Sequence, residues 1–141
     1  MGEGEIRDVA ARLHSASIRL LRTLRREDDG SGLSAPRLSA LSVIVFAGPL
    51  SLAGLAAAEQ VRPPTMSRIV EALVALGLVT RVAKPGDRRS VEIAATEAGI
   101  ELLEAGRERR IRALIGRLGQ LADSERRALA RGVEILERVV R

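Results

Sequence analysis

Cysteine, tryptophan and tyrosine are absent from the 141 residues, and there is one phenylalanine and one histidine. Without cysteine there are no disulfides, no thiol redox sensing and no cysteine-ligated zinc. The near absence of rings argues against a binder of single-stranded nucleic acid, which stacks bases on them. No run of about 18 residues is apolar and uncharged, so no membrane span is expected. The start, MGEGEIRDVA, is too acidic and polar for a secretory signal and points to a cytoplasmic protein. The single histidine, His14, lies on or beside an apolar helical stripe, where it is far more often structural than catalytic. No Gly-x-Ser-x-Gly elbow, phosphate loop or metal-ligand spacing occurs. Neither an enzyme nor a cofactor or metal site is expected.

What remains is an aliphatic chain with many charges. Apolar residues make up 46%, and the core must be Leu, Val, Ile and Ala, which favours packed helices. The length fits one domain. The net charge of +5 is unevenly placed. Residues 1–36 carry six Arg and six acids, residues 37–90 seven bases and three acids, and residues 91–141 ten Arg and nine acids. The excess lies in the middle of the chain, as phosphate neutralisation requires, although a solvated basic surface would show the same balance.

Periodicity predicts six helices and one hairpin. Ile6, Val9, Leu13, Ala16, Leu20 and Leu24 make a stripe at steps of three and four, ending near the loop Asp28-Asp29-Gly30-Ser31-Gly32. A second helix is expected over Ala35–Phe46, with Ser34 as its cap and Pro36 in its first turn, stopped by Gly48-Pro49. A short third covers Leu52–Glu59. The fourth begins at Pro63 and ends at Gly77, a glycine placed as a C-terminal cap. Leu78–Val82 and Val91–Ala94 read as strands joined through Lys84-Pro85-Gly86-Asp87. Thr96 can cap a long helix over Glu97–Leu118, with Ile100, Leu103, Ile111, Leu114, Ile115 and Leu118 on its apolar face. Asp123 or Ser124 can cap a last helix carrying Leu129, Val133, Leu136 and Val140.

Helix, turn, helix, strand, basic loop, strand is the order of a winged helix-turn-helix. In the fourth helix, Met66, Ile69, Val70, Leu73 and Leu76 cluster on one side and face the core. Pro64, Arg68, Glu71 and Ala75 point away, flanked by Thr65 and Ser67. A face of small residues around one arginine can approach base edges in the major groove, and Arg68 can take guanine bidentately or hold a phosphate. The bland reading of Arg68 is a surface ion pair with Glu71 three residues on. In the loop, Gly86 permits a tight turn, and Asp87 can pair with Arg89 and hold it extended. An Arg so aimed suits a narrow minor groove, with Lys84 and Arg88 on phosphates. A charged turn with no partner is the plainer alternative.

The terminal helices carry full apolar stripes far from this unit. Exposed stripes of that length are an aggregation hazard, and packing them against a second copy removes it. Ile6, Val9, Leu13, Leu129, Val133, Leu136 and Val140 are therefore expected at a two-fold dimer interface, which would set two reading helices about one DNA turn apart. A bundle within one chain has the same periodicity.

Two segments, LAAAEQVRPPTMSRIVEALVALGLVTR at 55–81 and DRRSVEIAATEAG at 87–99, carry a resemblance to the MarR family of bacterial transcription regulators, and it extends over nearly the whole chain. Asp87 and Arg89 occupy the Asp-x-Arg places of the family's wing, and Arg81 its basic position after Gly-Leu-Val. The resemblance implies a mainly α fold with a small β-hairpin wing. A single domain over 1–141 would comprise a winged helix-turn-helix lobe at 35–96 between dimerisation helices at 1–32 and 97–141. It implies a homodimeric, sequence-specific binder of double-stranded DNA that represses from pseudo-palindromic operators. Pro64, Thr65, Ser67 and Arg68 would read DNA from the helix, Lys84, Asp87, Arg88 and Arg89 from the wing, with Arg37, Arg62 and Arg81 in support. A small apolar or aromatic effector would bind in a crevice between the lobes, aliphatic here for lack of rings. Two positions depart from the family: Arg62 stands where a Ser or Thr cap is common, and Ala95 where Leu is usual. The alternative from another class is a dimeric winged-helix module that binds protein.

Overall fold

The computed structural model describes all 141 residues. The elements, in order, are α1 (Glu3–Asp28), α2 (Ala35–Ala47), β1 (Leu50–Ser51), α3 (Leu52–Ala58), α4 (Pro63–Ala75), β2 (Val79–Lys84), β3 (Asp87–Ala95), α5 (Glu97–Leu118) and α6 (Asp123–Val139), with a 3-10 turn at Asp29–Ser31. The fold is mainly helical with a small antiparallel sheet, as the element order in the sequence implies. The sheet has a third strand that periodicity did not reveal. β1 pairs with β3 through Leu50 opposite Ile93 and Ser51 opposite Glu92, giving the order β1-β3-β2.

The core belongs to the middle of the chain. Its eleven buried apolar residues run from Ala40 to Ile93, with Leu41, Ile44, Leu55, Met66, Val70 and Leu73 the largest fully enclosed. Each such side chain contributes about 1.5–3 kcal/mol by leaving water. α4 presents Met66, Val70 and Leu73 inward, with Ile69 half-buried. Leu76, expected on that face, is 54% exposed. The helix ends at Ala75, and the positive φ of Gly77 (73°) turns the chain away before Leu76 can follow the stripe.

Capping follows the sequence in part. Thr96 caps α5 as expected: its Oγ1 accepts from the Gly99 N–H at 3.2 Å and donates to the Gly77 carbonyl at 2.6 Å, tying α5 to the end of α4. Ser51 caps α3, accepting from the Gly54 N–H at 3.0 Å. Ser34 stands at the N-cap of α2 but makes no side-chain capping bond. For α6 neither Asp123 nor Ser124 is the cap. Ala122 is, and the Glu125 carboxylate accepts from its N–H at 2.9 Å, which moves the helix start one residue back. Arg62, the departure noted at the start of α4, makes no side-chain capping bond.

α1 and α6 contain no buried residue. α1 meets the body at its C-terminal end, where Arg110 of α5 bonds the Asp28 carboxylate at 2.5 Å and Arg109 Nε donates to the Glu27 carbonyl at 3.3 Å. Ile6 (57%), Val9 (54%) and Val133 (46%) stand open to solvent, as do Leu13, Leu129 and Val140, while Leu136 is half-buried. α5 buries only Gly99 and Gly106, and Ile100, Ile115 and Leu118 of its apolar face are exposed. No single helix is long and apolar enough to cross a membrane.

Candidate nucleic-acid interface

Two elements of the central lobe carry most of the residues singled out by the sequence. α4 starts with Pro63 and Pro64, whose ring-fixed φ suits a first helical turn. Burying Met66 and Val70 leaves Pro64, Thr65 and Arg68 exposed, with Ser67 half-buried beside them. The outward face therefore carries the four residues expected there. Glu71 is also exposed, yet it forms no ion pair with Arg68; the bland reading of that arginine is not realised.

The wing is longer and tighter than its composition suggests. Lys84 and Asp87 were expected in the loop, but β2 runs to Lys84, β3 resumes at Asp87, and the two face each other across the ladder. The loop is Pro85-Gly86 alone, with Gly86 at φ 83°. Proline before a residue of positive φ is a sequence made for a two-residue reversal. A register shift at Ala83/Lys84 absorbs the difference between the arms.

Asp87 holds the wing, though not as an ion pair. Its Oδ1 accepts from the Arg89 backbone N–H at 3.0 Å and its Oδ2 from the Ser90 hydroxyl at 2.7 Å. These bonds, the Ser90 hydroxyl foremost, lower its pKa below the ordinary value of 3.8. The expected contact between Asp87 and the Arg89 side chain is absent: the carboxylate is taken up by the Arg89 backbone N–H and the Ser90 hydroxyl, and the guanidinium is left free. Ser90 is the site residue that the sequence reading passed over. Its signal was the spacing of a short acceptor and a hydroxyl three residues apart.

Arg37, at the start of α2, Arg62, before α4, and Arg81, in β2, are all exposed, as are Lys84, Arg88 and Arg89. The protein's three ion pairs are Arg12 with Asp8, Arg110 with Asp28 and Arg126 with Asp123. None touches the lobe, so all seven of its cations are free of intramolecular pairing. Such a surface carries an uncompensated positive field.

A separate groove of about 770 Å³ lies between α2 and α5. Its lining is mixed rather than purely aliphatic, with Val45, Ile100, Leu103 and Ala105 beside charged side chains of both signs, Arg107 and Arg110 among them. It holds the protein's one phenylalanine, Phe46, which is 81% exposed, and the carboxylates Glu101, Glu104 and Glu108, none of them ion-paired. Phe46 reaches the groove from the same side of α2 as Ser42 and Val45.

Comparison with known proteins agrees with this architecture. Residues 33–91 match the MarR family. An HTH-type transcriptional regulator of Mycobacterium tuberculosis is 37% identical over 128 residues, covering 91% of this chain and 90% of that protein. The crystal structure of the transcriptional regulator Tm0710 from Thermotoga maritima superposes with a TM-score of 0.85 at 23% identity over 94% of each chain. A variant of S. aureus MepR bound to an oligodeoxyribonucleotide superposes with a TM-score of 0.71 at 18% identity, over 94% of this chain and 98% of that one. The two structures share the fold, and the relative shares the sequence across nearly its whole length: the chain belongs to the MarR family of winged-helix transcriptional regulators.

Proposed function

We propose that the protein is a homodimeric repressor that binds pseudo-palindromic double-stranded operators. α4 lies in the major groove, and the wing reaches the adjacent minor groove. The observation that carries this reading is the set of seven exposed cations of the lobe, every one unpaired. Thr65, Ser67 and Arg68 supply base and phosphate contacts from α4, Arg89 enters the minor groove, and Lys84, Arg88, Arg37, Arg62 and Arg81 lie on phosphates. The MepR neighbour of the same fold, bound to an oligodeoxyribonucleotide, supports DNA as the ligand. The exposed stripes of α1 and α6 support the dimer.

A mobility-shift titration with duplexes from the regions flanking the gene tests the reading. Arg68→Ala and Arg89→Ala each weaken binding by about tenfold or more if they touch bases or a narrow groove. Arg88→Ala weakens operator and unrelated duplex alike and lowers the salt slope by about one. Unchanged binding by the first two variants rejects the assignment. A protein-binding module, the competing reading, gives no salt-dependent shift with any duplex.

Release by an effector forms part of the proposal. The groove between α2 and α5 joins one aromatic ring and several aliphatic side chains to three carboxylates and two arginines. This favours an aromatic molecule that also carries a polar or charged group over a purely apolar one.

A further inference from the structure

Of the 23 lysine and arginine side chains, one is a lysine, Lys84. The two residue types differ in chemistry more than in charge. A guanidinium keeps its proton, whereas an ε-amine can give one up and become a nucleophile. The chain therefore has one side-chain amine, and the fold sets it at the tip of the wing. Lys84 is the last residue of β2, immediately before the Pro85-Gly86 turn, and it is exposed. It is in no ion pair. Asp87, its Cα partner across the ladder, turns its two oxygens to the Arg89 N–H and the Ser90 hydroxyl instead.

The ladder breaks beside this amine. Ala83 pairs with Val91 and Lys84 with Asp87, so Arg88, Arg89 and Ser90 have no partner on β2. These extra residues form a bulge, which the Asp87 carboxylate fastens through Arg89 and Ser90. Two consecutive arginines, both exposed and unpaired, thus follow directly on the Lys84–Asp87 pair. Guanidinium groups match the oxygens of a phosphate, and a local excess of positive charge raises the concentration of anions around it. A small phosphate that carries an acyl group would meet the one nucleophilic side-chain amine at the place that attracts it.

We propose that Lys84 is a modification site, acylated by a small acyl phosphate that Arg88 and Arg89 draw to the wing. The unprotonated ε-nitrogen attacks the acyl carbonyl carbon and forms the C–N bond of an amide. The C–O bond to phosphate breaks, the phosphate leaves with the electron pair, and it takes up the proton released from nitrogen. Nothing is oxidised or reduced. The amide is neutral where the ammonium was charged. The consequence for DNA rests on the DNA-binding reading above; the acylation does not. Each modified wing loses one phosphate contact, so affinity falls for every sequence and the salt dependence becomes shallower.

The full chain is incubated with acetyl phosphate at mildly alkaline pH together with Nα-acetyl-lysine amide, a free amine of the same kind, and both products are followed by mass spectrometry. Lys84 should be acetylated several-fold faster than the free amine. The advantage should vanish at high salt, which screens the field, and in a variant with both Arg88→Ala and Arg89→Ala. It should vanish also with N-hydroxysuccinimide acetate, a neutral donor. A Lys84 rate no greater than that of the free amine overturns the site, and an advantage that survives the loss of both arginines overturns their part in it. Acetylated and untreated protein are then titrated with a duplex recovered by the wild type from sheared genomic DNA of the source and with an unrelated one. Acetylation should weaken both complexes several-fold and lower the salt slope by about one for each wing engaged. Lys84→Arg, treated in the same way, should bind as it did before treatment. Unchanged binding by the acetylated wild type overturns the control of DNA binding. If the untreated protein binds neither duplex in a salt-dependent way, the DNA-binding reading fails, while the rate comparison still decides the acylation site.

Discussion

Asp87 and Gly99 show how little freedom single positions have in this lobe. Asp87 is fully exposed, so its two hydrogen bonds order the wing rather than add to global stability. Its folded-state pKa lies below the ordinary 3.8. The wing therefore keeps this support at every pH above that unfolded-state value and loses it only as acid drops through the depressed one. A carboxyl titration by NMR should show the Asp87 midpoint below 3.8, with the Arg89 amide shifting in step. Asp87→Ala should leave the melting temperature nearly unchanged and lower duplex affinity several-fold, because Arg89 keeps its charge but loses its aim. Gly99 is the opposite case. A Cβ there would lie 2.2 Å from the Leu78 carbonyl, which is fixed by the Thr96 N–H at 3.1 Å. Backbone cannot yield as a side chain can, so Gly99→Ala should cost about 1–3 kcal/mol, measured as a fall in denaturation midpoint.

At the scale of elements, α3 depends most on its termini. Seven residues are too few for a helix to stand by propensity. Leu55 and Ala56 anchor it in the core, and the Ser51 hydroxyl satisfies its first turn. Ser51→Ala should cost about 1 kcal/mol in thermal unfolding, and Ser51→Asp should restore it. The six helices were legible in the sequence because each shows a stripe or a stop signal that acts locally, such as Gly77 after α4 or Thr96 before α5. β1 was not legible: two residues have no period, and its partner Ile93 lies far along the chain. The wing loop is shorter than the turn-like chemistry of Lys84 and Asp87 suggests, because the ladder carries the strands as far as these two residues. The outward residues of α4 could be read from the 100° rotation per residue. The left-handed backbone of Gln60, at φ 55°, could not, since nothing in its side chain announces it. The free state of Arg68 was equally hidden, because spacing allows a pair with Glu71 that the folded protein does not form.

Over the whole molecule, apolar surface is distributed in a way one chain does not resolve. The lobe between Ala40 and Ile93 closes its own core, while α1 and α6 bury no residue fully and present Ile6, Val9, Val133 and Val140 to water. A long amphipathic helix draws most of its stability from the face it packs, and the proposed dimer would cover these two faces with a second copy. Sedimentation at micromolar concentration should give twice the chain mass. Leu13→Glu combined with Val133→Glu places charge on both stripes and should yield a monomer. The lobe has no part in those stripes, so the variant should retain a cooperative transition from its own core while the helical signal of α1 and α6 declines. Its DNA affinity should fall toward that of one half-site, and the binding curve should lose its dependence on the spacing between half-sites. A wild-type monomer, or a double variant that dimerises as before, would place the contact elsewhere and leave the two stripes unexplained.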